Sequence, residues 1–260
     1  MILLDVARNC AYHHEYTQYT ITMKEGLATM QQFFSDAILF DLDGVLVDST
    51  PCVERLWYQW ANRHGLNFLE IIARAHGRRS IDTIRDIAPD LDVEAEARKM
   101  EQAEIEDTNG LVAITGAAEL LATLAPSQWA VVTSGSRALA TTRLRAVGLP
   151  LPSVFITAED VAEGKPHPEG YLKAADLLGV APQSCVVIED APAGIQAALT
   201  ADMTAIAIAS THLPADLQAA QTCILSLSAL NITHSNKSDR TIPSLTITVT
   251  STADDPFPAS

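Results

Sequence analysis

Basic residues are scarce in this sequence. Lys and Arg number 17 against 32 Asp and Glu, giving a formal net charge of −15 over 260 residues. Nucleic acid and anionic membrane both need a basic face to hold their phosphates, so neither is expected as a partner. Cysteine is sparse as well. Cys10, Cys52, Cys185 and Cys223 are scattered with no C-x-x-C pair and read as free buried thiols in a reducing compartment. No apolar run approaches the length of a transmembrane helix. The N-terminus lacks a basic region followed by an apolar block, so no signal peptide is expected and the cytoplasm is the default location. The vicinal His13 and His14 have no Cys or acidic ligand at helical spacing and read as surface histidines.

What is present is a rhythm. "AILF" (37–40), "WAVVTSGS" (129–136), "VFITAED" (154–160), "CVVIEDAPAG" (185–194) and "TAIAIAST" (204–211) are short apolar runs that end in polar or small residues, and "TCILSL" (222–227) is a sixth candidate. Helical periods lie between them, at 137–147, 168–178 and 192–199. Gly follows the first two, and Pro opens the last two. Short continuous apolar strands alternating with helices predict a Rossmann-like α/β core: a mostly parallel sheet with helices on both faces. Residues 50–115 break the rhythm. They show no convincing strand and three helical stripes, one of which, "SIDTIRDIAPD", begins at a Ser cap. The expected organisation is an N-terminal extension over 1–35 without sustained period, a catalytic core over 36–49 and 116–230, and a helical cap over 50–115. A Ser/Thr-rich segment over 231–260 is expected to hold an edge hairpin near Ile232 and Ile247, then a disordered tail. Met30, just before the first strong strand, offers an alternative start.

Ligands of open parallel sheets bind beyond the carboxyl ends of the strands. The strand ends here supply Asp41, Asp43 and Gly44, then Thr133, Ser134 and Gly135, then Lys165 in "GKPHPE", then Glu189 and Asp190. Clustered carboxylates repel unless one is protonated or a cation sits among them. Hard oxygen ligands at a partly open site suit Mg²⁺. Backbone N–H groups at "TSGS" suit an anion, and Lys165 supplies the positive charge that the composition lacks. Together these describe a phosphoryl site. One carboxylate can attack phosphorus and form an acyl-phosphate, while a second moves protons. Each motif alone reads as a turn, a cap or a loop; all four in order at successive strand ends do not.

With "FDLDGVLVDS", "VVTSGS", "GKPHPE" and "VVIEDAPAG" in place, residues 36 to about 230 resemble the haloacid dehalogenase superfamily of capped phosphatases. Within it, "HGRRS", "VTSGSR", "GKPHPEGYL" and "EDAPAGI" look most like phosphatases of small sugar and polyol phosphates. The resemblance implies that Asp41 is nucleophile and metal ligand, and that Asp43 is acid/base and donates its backbone carbonyl to Mg²⁺. It implies that Thr133 and the Ser134 N–H bind phosphate, that Lys165 bridges phosphate and Asp41, and that Asp190, supported by Glu189, ligates the metal. Val45 stands where many members have Thr. The cap must choose the substrate. "AHGRRS" (75–80) is its candidate loop, with Gly77 allowing close approach and His76, Arg78 and Arg79 as donors.

The expected activity is Mg²⁺-dependent hydrolysis of a small sugar or polyol phosphate, by a monomer or weak homodimer. A sugar phosphomutase resembling β-phosphoglucomutase is the nearest alternative, kept open by Arg78 and Arg79. A non-catalytic regulatory module on the same fold is the alternative of another class. Lys99, the lysine of the insert, reads as a surface charge.

Overall fold

A computed structural model describes residues 5–7, 18–22, 29–235 and 244–251. Cys10, His13, His14 and the terminal "ADDPFPAS" lie outside them. The chain enters through β1 (Asp5–Ala7), β2 (Gln18–Thr22) and β3 (Thr29–Ser35), although the sequence shows no period there. It then runs into β4 (Ala37–Phe40), every residue of which is buried. Beyond β4, β5 (Val47–Asp48) pairs antiparallel with β6 (Val112–Ala113). That pair is the neck through which the insert leaves and returns. It places two strand residues in a stretch whose sequence shows none, because the pairing is made by the neck's geometry and not by local alternation.

Four helices form the insert: α1 (Thr50–His64), α2 (Phe68–Ala75), α3 (Ser80–Ile87) and α4 (Val93–Glu106). Trp57, Trp60, Ile71 and Ile84 pack into a core of their own. Gly65, left-handed at φ 68°, ends α1, and the Asp92 side chain caps α4 at Ala95 N (3.0 Å). Ser80 does not cap α3. Arg79 occupies that position, and its side chain is held by Asp82 at 2.6 Å. Lys99 is exposed and paired with Glu96.

The core continues with α5 (Ala117–Thr123), β7 (Trp129–Val132), α6 (Arg137–Ala146), β8 (Val154–Ile156), α7 (Glu169–Leu178), β9 (Cys185–Glu189), α8 (Pro192–Thr200), β10 (Thr204–Ile208) and β11 (Thr222–Ile224). Six parallel strands form one sheet in the order β11-β10-β9-β4-β7-β8. The chain steps outward from β4 to one side and then returns to the other, so β4 stands at the switch point where a crevice opens. Alternate side chains divide between the faces. Ile38 and Phe40 share one core cluster with Leu144 of α6, while Leu39 shares another with Tyr171 of α7 and Ile195 of α8.

The last strands are β12 (Leu230–His234) and β13 (Leu245–Ser251), paired antiparallel with Ile232 opposite Ile247. β13 is not an edge. Its other side pairs with β3 over seven positions, making a second sheet in the order β1-β2-β3-β13-β12. Leu245, Ile247 and Val249 are buried in the same cluster as Phe40 and Leu144, so this sheet covers one face of the core. Among the described residues, Cys52, Cys185 and Cys223 are buried, Cys52 and Cys185 as free thiols, and no helix is long and apolar enough to cross a membrane.

Candidate active site

Asp41 follows β4 directly, and its N–H continues the ladder onto the Ile188 carbonyl at 3.0 Å. Its carboxylate is therefore fixed at the mouth of the crevice, 3% exposed. Lys165, from the loop before α7, donates to Asp41 Oδ1, to Glu189 Oε1 (2.6 Å) and to the Val132 carbonyl (3.1 Å). All three ammonium protons are thus engaged. Glu189, at the end of β9, is wholly buried and also accepts from Tyr171 Oη (2.7 Å) and from the Asp190 and Ala191 N–H groups. Gly194 makes room for it: a Cβ there would stand 1.7 Å from Glu189 Oε1. Asp190 takes a hydrogen bond on Oδ2 from Thr211, and its other oxygen is buried without a partner.

Burial dominates the electrostatics. It pushes the Asp41 carboxyl up to about 7 despite the Lys165 charge, with Glu189 and Asp43 adding to the rise. Asp190 is raised well above the carboxylate range by burial and by the neighbouring Glu189 and Asp41. Burial works against the charged Lys165, yet Asp41 and Glu189 outweigh it and hold the ammonium above its usual value. Without a cation, burial favours the protonated forms of Asp41 and Asp190. Asp41, Glu189 and Asp190 each offer an oxygen, all within 4.8 Å of one another. Three buried hard-oxygen donors, one with an oxygen lacking any partner, fit a metal ion.

Asp43 is set apart from this cluster. Its Oδ2 accepts from Arg143 Nη1 of α6 at 2.6 Å, and its Oδ1 is buried and unpartnered. Thr133 Oγ1 accepts from Gly135 N–H (3.1 Å), and Ser134 Oγ donates to the Gly77 carbonyl of the cap loop (3.0 Å). Gly77 has φ 74°, and a Cβ there would meet Ala191 Cβ at 2.5 Å, so only glycine brings the cap this close to the core. His76 stands edge-on to His212, with ring centroids 5.9 Å apart. Burial and His212 together lower its pKa. Arg78 is ion-paired to Asp86 within the cap.

Asp41, Asp43, Thr133, Ser134, His76, Arg78 and Asp190 share one cavity of about 300 Å³, and Lys165 and Glu189 lie behind its wall. Sequence reasoning missed Arg143, Glu104, Tyr171, Thr211 and His212. Two of them carry a signal. Arg143 lies on the stripe of Leu139, Ala140 and Leu144, and Glu104 on that of Val93, Glu96 and Met100. A charge on a buried stripe needs a partner.

Fold and site define a capped α/β hydrolase, with a buried acidic cluster at the switch point of a parallel sheet. Residues 35–202 match the haloacid dehalogenase-like hydrolase model, and the chain belongs to that family. It is 49% identical over 183 residues to hexitol phosphatase A of Escherichia coli K12, covering 68% of this chain and 83% of that one. It is 38% identical over 189 residues to glycerol-1-phosphate phosphohydrolase 2 of Saccharomyces cerevisiae, covering 68% and 75%. Among solved structures, a hydrolase from Pseudomonas syringae superposes with a TM-score of 0.67 at 28% identity, covering 74% of this chain and 94% of that one.

Proposed function

We propose that this chain is a Mg²⁺-dependent phosphatase of a small polyol or sugar phosphate, acting in the cytoplasm through an aspartyl-phosphate. The observation that carries the reading is the Asp41–Lys165–Glu189–Asp190 cluster beside a cavity that the cap closes. A cavity of about 300 Å³ is at the small end for ligand sites and suits a small substrate.

Thr133 Oγ1, the Ser134 N–H and Lys165 receive the phosphoryl group. The Val132 carbonyl is the most distant of the three Lys165 partners and is the one a phosphoryl oxygen replaces. An Asp41 oxygen bonds to phosphorus as the bond to the alkoxide breaks, and the alkoxide takes its proton from Asp43. Asp43 then removes a proton from water, whose oxygen bonds to phosphorus while the Asp41 oxygen leaves. Asp41 and Asp190, with the Asp43 carbonyl, would hold Mg²⁺, and Glu189, whose oxygens already accept four hydrogen bonds, supports it from behind. When bound, Mg²⁺ neutralises the charge that carboxylates and phosphoryl group share.

A mutase must grip a second phosphate. Arg78 and Arg79 are already paired with Asp86 and Asp82, and Arg98 shares its part of the cavity wall with Glu94 and Glu101. That supports hydrolysis. Likeness to a hexitol phosphatase puts acyclic hexitol phosphates first in a substrate panel, followed by glycerol and aldose phosphates. With Mg²⁺ the protein should release inorganic phosphate from one of these, EDTA should stop it, and Asp41→Asn should lose about 10³-fold or more. Isomerisation without phosphate release would indicate a mutase. No turnover of any ester would favour a regulatory module.

A further inference from the structure

Arg143 has no part in the chemistry above, yet it is 4% exposed and makes the shortest contact that the Asp43 carboxylate has, 2.6 Å to Oδ2. Its other amino group reaches Glu104 of cap helix α4 at 3.4 Å, and Glu104 is itself only 7% exposed. The core carboxylate, the core guanidinium and the cap carboxylate thus form one line between the chemistry and the cap, buried at Arg143 and Glu104 and 29% exposed at Asp43. Such a line is expensive to desolvate and is not an economical way to gain stability. Its geometry has a direction. Arg143 takes one oxygen of Asp43 and leaves Oδ1 buried and unpartnered beside the cavity. A carboxyl that exchanges protons with a leaving oxygen needs one oxygen held and one free. A flexible Asp43 would meet the leaving oxygen in only a fraction of encounters, and a fixed one avoids that loss.

We propose that Arg143 is the positioning residue of Asp43, and that Glu104 makes this positioning depend on the seating of the cap. The assignment rests on the phosphatase reading, because it gives Asp43 its proton-transfer task. Arg143 holds Asp43 Oδ2, Asp43 presents Oδ1 to the leaving oxygen and then to the attacking water, and Glu104 keeps the guanidinium in register with α4. The cap, besides enclosing the substrate, completes the acid/base.

Leaving groups separate this role from a structural one. The alkoxide of a polyol phosphate needs a proton as it departs, whereas the oxide of 4-nitrophenyl phosphate leaves without one. In Arg143→Met, with Mg²⁺, the pre-steady-state burst of 4-nitrophenolate should stay within about 3-fold of wild type. Steady-state turnover of the polyol phosphate should fall by about 30-fold or more, mainly in kcat. Arg143→Lys should recover part of the loss and supplies the same comparison if the Met variant does not fold. Glu104→Gln should show the same selectivity at smaller magnitude. Equal losses on the burst and on polyol turnover, or no loss on either, would overturn the assignment alone. An unchanged Glu104→Gln would remove the cap from it. A wild-type chain that releases phosphate from neither ester would sink the phosphatase reading and this assignment with it.

Discussion

Asp41 is the residue on which pH and metal meet. Burial raises its carboxyl from 3.8 to about 7, so between those values the folded, metal-free chain binds more protons than the unfolded one. Stability therefore falls as pH rises across that window. On the proposed function a divalent cation would replace the proton, so Mg²⁺ should raise Tm more at pH 8 than at pH 5, where it must displace protons first. Asp41→Asn should flatten the metal-free dependence and raise Tm at pH 8. Equal Mg²⁺ shifts at both pH values would contradict this account. The carboxylates of this cluster were legible in the sequence because each ends an apolar run, and a strand end in a parallel sheet has one address. Arg143 and Glu104 were only half legible: each lies on an apolar stripe and so calls for a partner, but neither helix by itself says which. Only the facing stripes of α4 and α6, which no local window compares, bring the two together.

At the scale of elements, the cap loop and the second core motif are joined by one hydrogen bond, Ser134 Oγ to the Gly77 carbonyl at 3.0 Å. Gly77→Ala should disturb that joint twice. Its φ of 74° disfavours a side chain, and the new methyl would meet Ala191 at 2.5 Å. The expected outcome is KM raised several-fold for the polyol ester with a small fall in Tm, read by steady-state kinetics and thermal melting. An unchanged KM would show that the loop does not face the substrate. Strands β4, β7, β9 and β10 could be read from sequence because buried parallel strands are continuous apolar runs. β3, "TMQQFFS", could not. It lacks alternation and is a strand because β13 lies beside it.

For the whole molecule, β13, which lies within the Ser/Thr-rich end, is part of the core. Leu245 and Ile247 are 0% exposed, so Leu245→Ala should cost about 2–4 kcal/mol in chemical denaturation, as for other large-to-small core changes. A loss below about 0.5 kcal/mol, the scale of surface substitutions, would place β13 outside the cooperative unit. The pairing of β3 with β13 also has a consequence in time. Gln32 and Thr248, which face each other across it, are 216 residues apart. At about 5–20 residues per second of synthesis, β3 is made about 10–40 s before its partner exists. Through that interval β3, which runs into β4 and so toward Asp41, has one edge without its partner, and β13, made later, is the strand that closes it.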